Sequence, residues 1–319
     1  MAAGPSPTQT ILRLGTRRSP LAIAQAEEAR DRLLGAAQAA GDRIAVEIVR
    51  VTASGDRVLD RPLAEIGGKA LWTRELDAWL LAGEIDFAVH SLKDVETIRP
   101  TAIALAAVLP REDIRDVLVG APSLAALPQG ARIGTSAPRR AAQILHLRPD
   151  CRIVPFRGNV ATRLAKLAAG EAEATLLARA GLNRLGEASV GVALEADQWL
   201  PAPGQGAIAI ECRATDTATR ARLARIDDAA SHADVAAERA LLAALGGNCH
   251  SALGVWSRRE GGERCLRAAL FSPDGAARVI DEERLVRGDA DAPARLAARL
   301  LAAAPVTISA HFAGPARGG

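Results

Sequence analysis

Leu12–Ala26 reads LRLGTRRSPLAIAQA, and Ala131–Leu147 reads ARIGTSAPRRAAQILHL. Each is a short strand pattern that closes on Gly-Thr, passes through a basic turn and opens a helix. In the first copy Ser19 stands as N-cap and Pro20 at the first helical position. A second pair repeats the relation: LWTRELDAWLLAGEIDFAVHSL (Leu71–Leu92) is echoed by VATRLAKLAAGEAEATLLARAGL (Val160–Leu182). Strand, loop and helix recurring in the same order predict two similar α/β domains. Between and around these copies, TILRLGT, RIAVEIVRVT and IDFAVHS read as strands, while SPLAIAQAEEARDRLLGAAQAA and ALWTRELDAWLLAGE read as helices.

LPAPGQGAIAIECR (Leu200–Arg213) is a Pro/Gly-rich joint followed by a strand. Past residue 225 the pattern changes to a helix (ADVAAERALLAAL), strands (CLRAALFS, ARVIDEERLV) and a last helix (DAPARLAARLLAAA). The expected division is 10–108 with 206–224 as a first α/β domain, 109–205 as a second, and 225–319 as a smaller α+β domain. Paired α/β domains joined by crossing segments suit a hinged binding fold. Ligands of such sheets sit beyond the carboxyl ends of the strands.

The chain has 319 residues, 49% hydrophobic and 24% charged, with a net charge of +3. That balance suits a soluble globular protein and is too small to imply a polyanion partner. An aromatic fraction of 3% with no Tyr argues against stacking platforms for single-stranded nucleic acid. The N-terminal MAAGPSPTQT lacks the basic flank and apolar stretch of a secretory signal, and no apolar run approaches the ~18 residues of a membrane span. A cytoplasmic protein with no membrane or nucleic-acid partner is expected. Cys151, Cys212, Cys249 and Cys265 are far apart in sequence and expected as thiols in a reducing compartment. No CxxC, HExxH or Cys/His spacing indicates a metal.

The chemistry gathers at strand ends. GTRRS (Gly15–Ser19) places Arg17, Arg18 and Ser19 at a helix N-terminus, where free backbone N–H groups already favour an anion. GTSAPRR (Gly134–Arg140) does the same with Thr135, Ser136, Arg139 and Arg140, and FRGNVATR (Phe156–Arg163) with Arg157 and Arg163. Three anion-seeking loops on paired domains point to a ligand with several carboxylates, which arginine forks grip bidentately. No Gly-rich phosphate loop opens any of these helices, which argues against a nucleotide. AVHSLKDVE (Ala88–Glu96) ends a strand in Lys93 and Asp94, a carboxylate placed to stabilise a developing cation or move protons. His90 beside them reads as structural. Of 40 basic residues only Lys69, Lys93 and Lys166 are lysine, so lysine is used sparingly. Lys166 reads as a solvated surface residue. Cys249 follows Gly246-Gly247 and precedes polar residues, a setting for an accessible thiol.

Nine segments in order carry a resemblance: GTRRSPLAIAQA, GDRVLDRPLAEIGGKALWTRELD, IDFAVHSLKD, LPREDIRDVLV, IGTSAPRRAAQILHLRP, FRGNVATRLAKL, AGLNRLG, LPAPGQGAIAIECR and AERALLAALGGNC. Together they are similar to the porphobilinogen deaminase, or hydroxymethylbilane synthase, family. The likeness is close over about residues 11 to 255 and loose beyond.

It implies a monomeric transferase of tetrapyrrole (haem) biosynthesis. The implied fold is two hinged α/β domains of the type II periplasmic-binding-protein kind plus the C-terminal α+β domain. Four porphobilinogen molecules are condensed head to tail, with loss of ammonia through a cationic azafulvene, onto a dipyrromethane cofactor, and linear hydroxymethylbilane is then hydrolysed off. By the same resemblance Cys249 carries that cofactor through a thioether and Asp94 is the catalytic carboxylate. Arg17, Ser19, Lys69, Lys93, Thr135, Ser136, Arg139, Arg140, Arg157, Arg163 and Gln205 fall at positions that hold cofactor or substrate.

The sequence departs from the family pattern at Ala70 and Trp72 after GGK, at Glu96-Thr97 where Pro usually follows KDV, and at Pro138 within GTSAPRR. It has no arginine in the stretch after Gly186, and His250-Ser251-Ala252 follows the cysteine. Two other classes compete. A non-catalytic binding module of the same hinged fold for a polycarboxylate has no use for Cys249. A cysteine-nucleophile hydrolase needs a placed histidine that no motif supplies.

Overall fold

The computed structural model describes residues 9–51, 73–248, 250–261, 263–286 and 288–314. The first half opens with β1 (Thr10–Arg17), α1 (Pro20–Ala39) and β2 (Ile44–Val51). The Ser19 side chain caps α1 by accepting from the Ala22 N–H at 3.3 Å, and Pro20 follows at once. The buried face of α1 is mostly small: Ala22, Ala26, Ala29 and Ala37 beside Leu33. Next come α2 (Arg74–Ala82), β3 (Phe87–Ser91), a 3₁₀ turn (Leu92–Asp94) and β4 (Ile103–Val108).

The second half contains β5 (Asp116–Val119), β6 (Arg132–Gly134), α3 (Pro138–Leu147), β7 (Arg152–Val154), α4 (Val160–Ala168), β8 (Ala174–Ala178), α5 (Arg179–Arg184) and β9 (Val192–Ala193). The chain returns through β10 (Ile208–Arg213) and α6 (Thr217–Leu223). The last part is α7 (Ala229–Ala244), β11 (Leu253–Glu260), β12 (Glu263–Phe271), β13 (Arg278–Leu285), α8 (Ala292–Ala303) and α9 (Val306–Ser309). Sequence reading started α7 at residue 233. It begins earlier because the Asp228 carboxylate accepts from the Ser231 N–H at 2.7 Å and caps it there. The short strands β4, β5 and β9 and the longer β11 were not singled out by pattern.

Three sheets result. The first has the order β2-β1-β3-β10-β4, the second β7-β6-β8-β5-β9, and the third β11-β12-β13. In the first, β1 runs parallel to β2 and β3, while β10 is antiparallel to both β3 and β4. The second repeats this: β6 is parallel to β7 and β8, and β5 is antiparallel to β8 and β9. Each α/β domain therefore takes its antiparallel fourth strand from where the chain crosses over, first after β4 and again before β10. The third sheet is an antiparallel meander backed by α7 and α8, which makes the smaller α+β domain. Each sheet carries its own core: Leu12, Leu14, Phe87, Ile208 and Ile210 in the first, Leu118, Ile133, Leu176 and Trp199 in the second, and Val255, Leu266, Leu296 and Leu300 in the third.

Both crossings are tied to the third domain at one carboxylate. Arg111, just past β4, holds Glu238 of α7 through two bonds of 2.8 and 2.9 Å. Glu238 also accepts from the Gly204 N–H at 2.8 Å and the Ser257 N–H at 3.0 Å. It is fully buried, and these four donors are what make a charge tolerable there.

The Gly-Thr strand ends have a packing reason. A methyl at Gly134 would lie 2.4 Å from the Phe156 ring, and one at Gly15 would lie 2.3 Å from Ile85 Cδ1. Phe156 is buried, so its ring can yield only by displacing packed neighbours. Gly134→Ala is expected to lower stability by about 1–3 kcal/mol, as overpacking does. A urea midpoint equal to that of the parent protein would show that the ring yields freely.

Candidate active site

The strand-end loops of the two α/β domains face a common region. On the first domain, Arg17 ends β1, Ser19 caps α1, and the 3₁₀ turn after β3 presents Lys93 and Asp94. Arg17, Ser19, Gln25, Thr73, His90, Ser91 and Asp94 line one recess. Gln25 and Ser91 exchange hydrogen bonds of 2.8 and 3.1 Å, fixing α1 to the end of β3.

On the second domain, Thr135 is buried and its Oγ1 accepts from the Ala137 N–H at 3.2 Å. The buried Ser136 Oγ has no hydrogen-bond partner, and neither does Arg140 Nε. Arg163, on the first turn of α4, donates from Nε to the Gly158 carbonyl at 3.1 Å.

The two sides act on each other electrically. Burial, reinforced by the positive charge of Arg140, pushes the Lys93 ammonium down to about 8, while Asp94 and Asp116 pull the other way. Burial and Arg140 likewise push Arg163 down to about 10, against the pull of Asp94. Arg157 adds to the same depression. Lys93 and Asp94 come from the first domain and Arg140, Arg157 and Arg163 from the second, so these groups share one field. That field is short of negative charge, and an anion relieves it.

Arg139, Arg140 and Gln205 have a second task that the sequence did not disclose. Asp116, the first residue of β5, is fully buried. Its Oδ2 accepts from Arg139 Nη2 and Trp199 Nε1, both at 2.8 Å. Its Oδ1 accepts from Arg140 Nη2 at 2.7 Å and Gln205 Nε2 at 2.9 Å. Burial opposes ionisation there, but the two guanidinium groups outweigh it and hold the carboxyl far below its usual range. Arg139 also reaches the Leu200 carbonyl and Arg140 the Leu176 carbonyl. Much of the donor capacity of both arginines is thus spent inside the protein. Arg140 Nε and Ser136 Oγ are left for something else. The only sign of Asp116 in the sequence was an acidic residue opening an apolar strand within LPREDIRDVLV.

Behind the Lys93-Asp94 turn lies a second missed network. Arg99 holds Asp77 at 2.6 Å, Glu96 at 2.8 Å and Glu211 at 2.8 Å. Its pKa is raised because the bonds to Asp77 and Glu211 outweigh burial. His90 Nε2 lies 3.4 Å from Glu211, and burial together with Arg99 pushes the imidazole down to about 4. The ring is neutral at neutral pH and structural. Lys166 pairs with Glu171 at 3.4 Å, over the Phe156 ring and at the end of α4. Lys69, Ala70, Trp72 and Cys249 lie outside the described residues. Among the described residues no cluster of three or more His, Cys, Asp or Glu is arranged to hold a metal, and no helix is long and apolar enough to cross a membrane.

Residues 12–221 match the family described as "Porphobilinogen deaminase, dipyromethane cofactor binding domain", and residues 232–303 match "Porphobilinogen deaminase, C-terminal domain". The chain is 56% identical over 308 residues to a porphobilinogen deaminase of Sphingopyxis alaskensis, covering 95% of this chain and 96% of that one. It is 49% identical over 288 residues to that of Nitrobacter winogradskyi, covering 89% and 90%. Among solved structures, a TRAP periplasmic solute binding protein from Desulfovibrio salexigens superposes with a TM-score of 0.41 at 10% identity, over 69% of this chain and 73% of that one. That likeness is too distant to bear on the fold, which rests on the strand orders above.

Asp116→Asn removes the charge that two buried guanidinium groups require. It is expected to cost about 3–5 kcal/mol, the usual price of breaking one side of a buried ion pair. Chemical denaturation measures it, and an unshifted midpoint would mean that hydrogen bonding alone suffices at this position.

Proposed function

We propose, from the premise that the chain belongs to the porphobilinogen deaminase family, that Asp94 is its catalytic carboxylate and that the cations around it hold the carboxylates of cofactor and substrate. The enzyme condenses four porphobilinogen molecules head to tail, with release of ammonia, and hydrolyses off linear hydroxymethylbilane. When bound, the dipyrromethane cofactor supplies the pyrrole carbon to which the first substrate is joined.

One observation carries the assignment of residues. Lys93 and Asp94 from one domain and Arg140 and Arg163 from the other lie within a single electrostatic field that depresses both Lys93 and Arg163. Each porphobilinogen ring brings an acetate and a propionate. Arginine and lysine at the strand ends neutralise them, and the bound anions in turn restore the cations. Arg17 and Ser19 at the start of α1, and Thr135, Ser136, Arg139, Arg140 and Arg157 on the second domain, make up the rest of the proposed anion set. The unpartnered Ser136 Oγ and Arg140 Nε fit a polycarboxylate ligand. Gln205 and Arg139 act chiefly by fixing Asp116 and the crossing segment.

Loss of ammonia from the aminomethyl group leaves positive charge on the substrate's pyrrole. Asp94 lines the recess where such a cation is stabilised, and its carboxylate also takes up and returns the pyrrole N–H proton. Cys249 is proposed as the thioether anchor and Lys69 as a further carboxylate contact. The domain division given above, a monomeric state, a cytoplasmic location and the absence of a nucleic-acid partner belong to the same proposal. The thiols Cys151 and Cys212, buried and unpaired with each other, agree with a reducing compartment.

Asp94→Asn is expected to keep the fold and the covalently bound mass while turnover falls by about 10²-fold or more, as loss of a general acid–base group does. Intact-mass measurement is the companion test: purified protein should exceed its sequence mass by two condensed pyrrole units, and Cys249→Ala should not. Wild-type turnover in Asp94→Asn would remove the aspartate from its role.

A pH profile separates Lys93 from the arginines. Its ammonium is depressed to about 8 in the free site, so it loses its charge as pH rises through that value. Carboxylate binding to the cofactor-free protein then weakens, so the rate at which that protein gains mass from porphobilinogen should decline above pH 8. Lys93→Arg, charged throughout, should flatten that limb. An identical decline in the variant would assign it to another group.

A further inference from the structure

We infer that Thr97 is a positioning residue, whose hydroxyl ties the segment that follows Asp94 to the helix end that precedes Cys249; this rests on the reading of Cys249 as the cofactor's anchor. Thr97 Oγ1 donates to the Gly247 carbonyl at 3.1 Å, across 150 residues of chain. Both ends of that bond are held by further hydrogen bonds.

On the Gly247 side, α7 closes with the Gly246 N–H on the Ala243 carbonyl and the Gly247 N–H on the Leu242 carbonyl, both at 2.9 Å. Gly246 sits at φ +65°, as this helix ending requires. A side chain at Gly247 would lie 2.7 Å from Leu242 Cδ1, so the corner is tightly packed. Beyond it the Ser251 N–H returns to the Asn248 carbonyl at 3.0 Å, and Ser251 Oγ accepts from the Asn248 N–H at 3.0 Å. These bonds join Asn248 to Ser251 and reach no residue of the first domain. The Gly247 carbonyl is in a buried residue, and Thr97 is its partner from that domain.

On the Thr97 side, Arg239 of α7 donates to the carbonyls of Val95, Glu96 and Thr97 at 3.3, 2.6 and 3.1 Å. The Glu96 carboxylate is held by Thr73 Oγ1 and Arg99 Nη1, both at 2.8 Å. The Glu96-Thr97 pair that departs from the family pattern is therefore used as a strap between the α/β and α+β domains. Asp94 is three residues from one end of the strap, and Cys249 is two residues from the other. Arg239 ties the segment to the body of α7, and the Thr97 hydroxyl adds the bond that reaches the helix end itself, next to the cysteine.

The test compares Thr97→Val, which keeps the shape and removes the hydroxyl, with Thr97→Ser, which keeps the hydroxyl. Full-length, cofactor-free protein is incubated with porphobilinogen and its mass gain followed in time. Thr97→Val should load several-fold more slowly than the parent, with a melting temperature close to the parent's, and its loaded form should show a lower kcat at similar KM. Thr97→Ser should recover both rates. Parental loading and kcat in Thr97→Val overturn the inference, as does a Thr97→Ser variant as slow as Thr97→Val, which would credit packing instead. Cys249→Ala is run alongside. If it gains the same mass, the anchor reading fails and this inference with it. If it gains none while Thr97→Val loads normally, the strap alone is refuted.

Discussion

A single carboxylate buried among arginines sets the geometry of the second α/β domain. Asp116 cannot stay charged in an apolar sheet without donors on every side, and Arg139, Arg140, Trp199 and Gln205 supply them. The cost of leaving any of these groups unpaired is high, so their positions are mutually enforced. The N-terminal turn of α3 is held to β5, and the returning crossing segment is held to both. The same packing leaves Ser136 Oγ and Arg140 Nε without partners, with Arg140 close enough to act on Lys93.

The same device recurs at the other joints. Glu238 gathers Arg111 and two backbone N–H groups, so both crossings close on the C-terminal domain. Arg99 gathers Asp77, Glu96 and Glu211 behind the Lys93-Asp94 turn. The planar five-donor fork explains why so many of these joints use arginine, in a chain that keeps only three lysines. Arginine here crosslinks acidic residues inside the protein, and in the proposed site it is also the partner for a ligand's carboxylates. The depressed Lys93 and Arg163 mark where the supply of internal anions stops.

The cleft is thus under electrostatic tension that a polycarboxylate relieves. A cation-rich site costs stability when empty and returns that free energy when filled. A growing chain whose every ring carries two carboxylates suits such a site. The alternative of a passive binding module with the same paired domains is set aside by the match of both family domains along the chain.

The sequence by itself determined the repeated strand–turn–helix units, the Ser19 cap, the change of pattern near residue 225, and the loops where Arg17, Lys93, Asp94, Ser136, Arg140 and Arg163 stand. These are local properties: periodicity, capping and the end of a strand are written in neighbouring residues. It also carried the family likeness, because nine segments in order hold more information than any one contact. What only the tertiary structure decided was partnership. That β5 and β10 enter their sheets antiparallel, that Arg139 and Gln205 turn inward to Asp116, that His90 rests neutral beside Glu211, and that Thr97 meets Gly247 all depend on residues 23 to 150 positions apart. No local pattern encodes such pairs. They arise when burial leaves a charge or a carbonyl with nothing but a distant donor to satisfy it.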